Sequence, residues 1–495
     1  MELSRRTLIG TGLMAGAATG LAGCVSKPGF MGEPALPAWT AGFRNAPAAG
    51  FDPAPMRLVS GKVPAGLKGT FYRNGPAQFS YGDEISQHWF DGDGMVQAIR
   101  IEDGEAVHTG RFVQTPKRVD EQEAGRFLAP GFGTVGDPDY PVTSPDSVNA
   151  ANTSVVMAGG ELLALWEAGS PWRMDPVTLE SRGAKTWRND LKAMPFLAHP
   201  KQEPDGRLWN LAMNGTKVGI YRIGADGEIE DFGMVDIGVP AYVHDWAMTD
   251  TKLIILVQPW IYTRNTPPFV EGLEWRPEDG LKFLIIDKDD FTNTRWSQAP
   301  ARAFFHTGSA WEESDGTIRF DASLYAEPVL GKSGEFNLIK GEFVPERDVL
   351  VQNHTMIVIP PTGDARLEET GLRGEFPQTD PRRHGTQRRY TALVGGPETP
   401  GRYGPSTLML HDWQSGNTAK FNYGPDRIIE EHLYVPKPGS SAERDAWLIG
   451  PTLNVKTQAT EIHVFDVADV SAGPVASWSA DYSWPLGFHG TWAAA

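Results

Sequence analysis

The apolar residues of this chain come in runs that are too short for packed helices and the right length for strands. Glu161–Glu167, Lys217–Ile223, Lys252–Val257, Leu281–Asp287 and Glu461–Asp466 are each six or seven residues long, rich in β-branched or aromatic side chains, and punctuated by Gly, Asp-Gly or Pro. Runs of that length and composition predict strands, and helical periodicity is nowhere sustained over three turns. With 55 Gly and 39 Pro among 495 residues, turns are plentiful enough to join many such strands. Ile220–Ile223 followed by Ala225-Asp-Gly227 and a further strand predicts a hairpin. From Met56 to the C-terminus there is no second linker, charge run or low-complexity tract, so residues 56–495 read as one domain. About 440 residues of antiparallel strand exceed an ordinary sandwich, and radial repetition adds strands without exposing long edges. The expectation is an all-β chain folded as a β-propeller, although no repeat is visible in the letters themselves.

Residues 1–23 read as an export signal. Arg5-Arg6 precede an uncharged stretch from Thr7 to Gly23, and Leu21-Ala22-Gly23-Cys24 follows. The arginine pair resembles a twin-arginine signal and Leu-Ala-Gly-Cys resembles a bacterial lipobox, in which Cys24 becomes the lipid-modified N-terminus. A Sec signal, or an uncleaved N-terminus with a buried cysteine, is the alternative. The stretch is too short and Gly-rich for a transmembrane helix. Pro28, Pro34, Pro37, Pro47, Pro53 and Pro55 make residues 24–55 a plausible lipid-anchored tether. These features place the protein in a bacterial cell envelope or periplasm, held at a membrane surface.

Several chemistries are excluded. A single cysteine rules out a disulfide scaffold and a multi-thiolate zinc site, and a net charge of −17 argues against nucleic acid as a partner. Gly131–Gly136 spells the dinucleotide fingerprint, but Asp137-Pro-Asp-Tyr-Pro141 stands where a helix must open. Asp91-Gly-Asp93-Gly94 lacks the other calcium-loop ligands and reads as a tight turn between strands. There is no Gly-x-Ser-x-Gly elbow and no His-Glu-x-x-His helix.

Histidine remains. Of the 11 present, His199 (Phe-Leu-Ala-His-Pro-Lys), His244 (Tyr-Val-His-Asp-Trp-Ala), His306 (Phe-Phe-His-Thr-Gly) and His489 (Gly-Phe-His-Gly-Thr-Trp) each sit at the edge of an apolar or aromatic segment. In a propeller, different blades would deliver such rings to a shared axis. Around these residues the chain resembles the carotenoid cleavage oxygenase family, which includes the lignostilbene dioxygenases and the retinoid isomerase. The resemblance runs from about Leu58 to the C-terminus. It is carried by Leu67–Pro76 (LKGTFYRNGP), His88–Met95 (HWFDGDGM), Asn149–Thr153 with Leu165-Trp-Glu167, Ala198–Lys201, His244-Asp245, Phe305-His306, Gly374–Pro377, Glu431–Pro436 and Phe488–Gly490, all in family order.

The resemblance implies a seven-bladed β-propeller with helical and loop segments capping one face, and a ferrous ion on its axis held by His199, His244, His306 and His489. It further implies that Glu167, Glu375 and Glu431 accept the distal N–H of three of these imidazoles. Four neutral imidazoles would leave the metal its full charge while the carboxylates fix the ring tautomers. Imidazole ligation suits iron, and zinc lacks the one-electron chemistry that dioxygen requires. The implied activity is cleavage of a carbon–carbon double bond by dioxygen, giving two carbonyl products. The pattern departs from many relatives after His306, where Ser309 and Trp311 stand in place of Asn and Tyr.

The substrate is less determined. A carotenoid or apocarotenoid is favoured, with a phenolic stilbene as the enzymatic alternative. Lys117, in Phe112-Val-Gln-Thr-Pro-Lys117, lies where stilbene-cleaving relatives carry a lysine that binds a phenol, and Tyr81 is the candidate for the accompanying tyrosine. A solvated surface lysine is the competing expectation for Lys117. A non-catalytic envelope propeller that binds a hydrophobic ligand is the alternative of a different class. The oligomeric state has no signature in the sequence.

Overall fold

The structure is a computed structural model that describes residues 36–328, 338–343, 352–396 and 403–495. Its packed unit spans Pro37–Ala495. The folded chain therefore begins well before the boundary near Met56 that composition suggested. Ala38–Phe43 forms a 3-10 helix whose Trp39, Ala41 and Phe43 are buried with Leu338, Ile428, Leu453 and Leu486, and Phe51–Gly61 is already a strand. The aromatic residues hidden in this Pro/Gly-rich stretch give it an apolar surface to bury, which a tether does not have. The export signal, Cys24 and the first part of the expected tether lie outside the described residues.

Five antiparallel sheets follow one another along the chain. The first holds Ser154–Ala158, Glu161–Leu165, Trp172–Met174 and Ser181–Ala184, and the second Lys201–Gln202, Leu208–Asn214, Lys217–Ile223 and Ile229–Asp236. The third holds Ala247–Met248, Lys252–Val257, Leu281–Asp287 and Thr294–Ala299. Ala303–Thr307, Ile318–Tyr325, Gln352–Ile359 and Arg366–Glu369 form the fourth, with Trp311–Glu312 as a short addition; Glu375–Gln378, Tyr390–Gly395, Thr407–Asp412 and Thr418–Asn422 form the fifth. The chain ends join in one ten-stranded sheet.

Neighbouring sheets share apolar clusters, and the clusters close a circle. Tyr72 and Val96 of the ten-stranded sheet pack with Leu162 and Ala164 of the first, Val156 and Leu163 with Leu208 and Tyr221 of the second, and Leu211 and Ile220 with Leu253 and Ile255 of the third. Ile254 and Phe283 then pack with Phe320 and Ile357 of the fourth, Trp311 and Met356 with Trp413 at the end of a strand of the fifth, just past Asp412, and Leu408 and Leu410 with Leu448 and Phe465 of the ten-stranded sheet. The result is an all-β, propeller-like ring. The resemblance implied seven blades, whereas five sheets stand separately. The remaining strands are continuous because Phe51–Gly61 changes partner half-way: Phe51 to Met56 pairs with Glu105–Phe112, and Arg57 to Gly61 pairs with Ala476–Ser479.

The same clusters explain the apolar runs. In Lys252–Val257, Leu253 and Ile255 face one cluster while Ile254 and Leu256 face the next, so both faces of the strand are buried and alternation is lost. Full burial of each such side chain stabilises by roughly 2 kcal/mol. The hairpin after Ile223 forms as expected, with Gly227 at φ +82° in its turn. The one α-helix among the described residues, Pro116–Ala124, is opened by Thr115, whose hydroxyl accepts from the Arg118 N–H, and closed by Gly125 at φ +65°. No helix among the described residues is long and apolar enough to cross a membrane.

Candidate metal centre

The four histidines come from four sheets and meet at one place. His199 precedes Lys201–Gln202, His244 precedes Ala247–Met248, His306 lies within Ala303–Thr307 and His489 precedes Gly490–Ala494. Each of these strands ends its own sheet's hydrogen-bonded order. The ring of sheets turns those ends toward a common point, and one nitrogen from every imidazole falls within 4.8 Å of the other three. The Nε2 atoms of His199 and His244 are 3.0 Å apart, and those of His244 and His306 are 3.3 Å apart.

The opposite ring nitrogens are held by carboxylates. His244 Nδ1 bonds Glu167, His306 Nδ1 lies 2.6 Å from Glu375 Oε2, and His489 Nδ1 lies 3.0 Å from Glu431 Oε1. A carboxylate only accepts, so each of these Nδ1 atoms carries the proton and each Nε2 presents a bare lone pair. With both rings neutral, the Nε2 lone pairs of His244 and His306 face one another, a contact that a cation relieves. Two nitrogens about 2.1 Å from one ion stand roughly 3 Å apart when set at right angles. The donor set thus fits a metal ion, and imidazole is a good ligand for iron as it is for zinc, copper and nickel.

Without a cation, burial governs the charges. It lowers His199 and His306 well below the usual imidazole range, and the neighbouring imidazoles add to the effect. Burial also opposes charge on His244, but there Glu167 outweighs it and the pKa is raised. Glu375 is pushed up to about 7 by burial, against the Tyr325 hydroxyl and Phe376 N–H that favour its anion.

A second layer of side chains fixes this arrangement. The Tyr242 hydroxyl lies 3.1 Å from both Glu167 oxygens, the Tyr325 hydroxyl donates to Glu375 Oε1 at 2.5 Å, and Gln378 Nε2 donates to Glu431 Oε1 at 2.8 Å. Asp245, 1% exposed, accepts from Lys201 Nζ at 2.6 Å, Thr307 N at 2.8 Å and Thr307 Oγ1 at 2.9 Å. It thereby ties together the strands that carry His199, His244 and His306. Phe376 stacks on His306 at 4.8 Å from an unusual φ of +53°. The sequence alone gives Tyr242, Tyr325, Gln378, Asp245 and Phe376 no role. Tyr242 and Asp245 flank His244 and Phe376 lies in the Gly374–Pro377 motif, but nothing local marks Tyr325 or Gln378.

A cavity of about 990 Å³ opens between exposed Val142, Asn214 and Arg264 and reaches inward to His244, His306 and His489. Aromatic rings form much of its wall, with Phe90 against Phe132 at 5.7 Å and Trp89 against Phe488 at 4.7 Å.

The model of the retinal pigment epithelial membrane protein family matches residues 45–494. The chain belongs to this family, the carotenoid cleavage oxygenases of the sequence resemblance. It is 28% identical over 465 residues to apocarotenoid-15,15'-oxygenase of Synechocystis, covering 88% of this chain and 92% of that relative. It is 29% identical over 477 residues to lignostilbene-alpha,beta-dioxygenase isozyme III of Sphingomonas paucimobilis, covering 88% and 93%. The crystal structure of the cobalt-substituted Synechocystis enzyme shares the fold with a TM-score of 0.81 at 24% identity, over 92% of this chain and 98% of that one.

Lys117 is not the solvated surface residue that stood as the competing expectation. It borders the cavity but is 3% exposed, with Nζ 2.7 Å from Asp93 and 2.8 Å from Glu121. Burial disfavours its charge, yet the two carboxylates outweigh burial and raise its pKa. Arg118 completes the cluster, 3.3 Å from the other Asp93 oxygen and 3.1 Å from the Tyr81 hydroxyl. Asp91 and Asp93 do not form the expected tight turn between two strands: they join the 3-10 helix Trp89–Asp91 to the strand Gly94–Glu102, and buried Asp91 accepts from Phe132 N, Gly133 N and Thr134 Oγ1. At the departure after His306, Ser309 Oγ accepts from Arg388 at 2.9 Å, and Glu312 accepts from Thr249 and Thr251, away from the imidazoles.

Proposed function

We propose that the protein is a non-haem Fe(II) dioxygenase that splits a carbon–carbon double bond of a carotenoid or apocarotenoid into two carbonyl products. The observation that carries this is the convergence of carboxylate-anchored imidazole lone pairs at the inner end of a large, mostly apolar cavity. His199, His244, His306 and His489 would hold the ion, which supplies the electron chemistry with dioxygen that these side chains lack. Glu167, Glu375 and Glu431 keep the proton on Nδ1 and the lone pair on Nε2. The aromatic walls align a conjugated chain and exclude water, and the volume lies at the upper end for small-molecule sites, as a long polyene requires.

The lignostilbene relative keeps a phenolic stilbene as the second reading, but Lys117 has two of its three donors committed to Asp93 and Glu121. A purely ligand-binding propeller has no use for four convergent imidazoles. Aerobic incubation of the iron-loaded chain with an apocarotenal and a hydroxystilbene, with products identified by mass, decides among the three. Two aldehyde fragments from the apocarotenal support the proposal; stilbene cleavage alone, or no product from either, rejects it.

We read the ten-stranded sheet as two blades sharing Phe51–Gly61, because its halves pack face to face through Phe71 and Ile99 against Ile449 and Trp478. That reading gives seven blades. The N-terminal signal and Cys24 support export by the twin-arginine route and anchoring of the propeller at an envelope membrane, where a hydrophobic substrate is met. Arg5→Lys with Arg6→Lys should abolish export, and unaffected export rejects the route.

A further inference from the structure

The three carboxylates behind the imidazoles are not held alike. Glu431 receives an amide N–H from Gln378 and a backbone N–H from Gly490 at 2.9 Å. Glu167 and Glu375 each receive a phenol, from Tyr242 and Tyr325, and Glu375 also accepts the Phe376 backbone N–H at 2.9 Å. Both phenols are deeply buried, at 4% and 2% exposed. Tyr242 stands two residues before His244, with the rings nearly parallel at 15°, and Tyr325 pairs across the sheet with Ala303, on the strand that carries His306. Tyr242 thus shares a backbone segment with the ligand it serves, and Tyr325 sits on the strand paired with the one that carries His306.

We propose that Tyr242 and Tyr325 are positioning residues for the metal, fixing Glu167 and Glu375 through their phenolic O–H groups and so setting how strongly His244 and His306 donate to the ion. The inference rests on reading the histidine cluster as an iron site. A phenol is a neutral donor, so it holds the carboxylate in place and withdraws part of its basicity without adding a charge. A carboxylate that loses this donor turns more freely and pulls harder on the imidazole Nδ1 proton. The ring then becomes more electron-rich at Nε2, and ferric iron gains more than ferrous iron from it. Removing the phenol therefore weakens the hold on Fe(II) through lost positioning and moves the Fe(III)/Fe(II) couple to more negative potential through the electronic effect.

The test uses the full chain, loaded anaerobically with Fe(II), as wild type, Tyr242→Phe and Tyr325→Phe. Tyr221→Phe is the control, since Tyr221 is fully buried and, among the described residues, its hydroxyl reaches only the Pro195 carbonyl, at 3.3 Å. Iron affinity is read by competition with a chelator and the midpoint potential by redox titration. Each of the two Phe variants should bind iron about tenfold more weakly and shift to more negative potential, while Tyr221→Phe does neither. Wild-type affinity and potential in both variants, or equal changes in Tyr221→Phe, overturn the proposal. If a Phe variant does not fold, fluorotyrosine at the same position makes a stronger donor and should move the potential the opposite way; no movement overturns the proposal. A wild-type chain that takes up no iron rejects the iron reading itself and this inference with it, an outcome distinct from iron-binding wild type with unaltered variants.

Discussion

Lys117→Met removes one cation from a cluster in which Lys117, Asp93, Glu121 and Arg118 have side chains no more than 4% exposed. Methionine preserves most of the packed volume, so the loss is chiefly electrostatic. Asp93 retains Arg118, but among the described residues Glu121 keeps only the backbone N–H groups of Leu128 at 3.0 Å and Ala129 at 2.9 Å. A buried charge left without its partner costs about 3–5 kcal/mol, a large share of the roughly 5–15 kcal/mol that holds a domain together. Adding Glu121→Gln neutralises the orphan and should bring stability back to within about 2 kcal/mol of wild type, because buried pairs replaced together are often nearly neutral. Equilibrium denaturation of the iron-free chain, followed by fluorescence of its 16 Trp, measures both variants. A loss below about 1 kcal/mol, or a double variant as unstable as the single, refutes the buried-cluster account. Selective loss of stilbene turnover at unchanged stability would return Lys117 to a substrate-binding role.

Acid should unfold the protein early. Burial pushes His88, His108 and His432 down to about 3 in the fold, whereas in the unfolded chain they titrate near 6.5. Because the unfolded state binds the extra protons, their contribution is intact above about pH 6.5 and is lost progressively as the pH falls toward 3. At pH 5.5 the three together should cost about 4 kcal/mol relative to pH 8, and a flat denaturation midpoint over that interval would contradict the assignment. Asp245→Asn should weaken iron binding by about 10- to 100-fold, by loosening three ligand-bearing strands; unchanged iron affinity by chelator competition would show that the strands need no such tie. A chain ending at Gly487 loses His489 and the pairing of Gly490–Ala494 with Gly69–Arg73, so metal analysis should find its iron gone, and retained iron would remove His489 from the ligand set.

The strands Lys217–Ile223, Lys252–Val257 and Leu281–Asp287 end where their letters suggested, because a strand buried on both faces writes its burial into every position. The four histidines were readable for a different reason: each closes an apolar segment, and the family motifs supply their partners. What escaped was long-range. The exchange of partners between Met56 and Arg57 depends on strands more than 400 residues apart in sequence, and no local residue announces it. Trp39 and Phe43 look like tether residues until Leu338, Ile428 and Leu486 cover them. Lys117 reads as solvated because its neutralising partner Asp93 sits in a Gly-rich stretch that resembles a turn. Tyr325 is an ordinary strand-end tyrosine until the ring of sheets sets Glu375, 50 residues on, against its hydroxyl.

The central claim is that four imidazoles share one iron ion. Crystals of the iron-loaded chain, measured for anomalous scattering at the iron edge, test it directly. The account predicts a single peak per chain, at near-full occupancy, bonded to Nε2 of His199, His244, His306 and His489. No peak, or a peak from which any one of those rings stands well away, would contradict it.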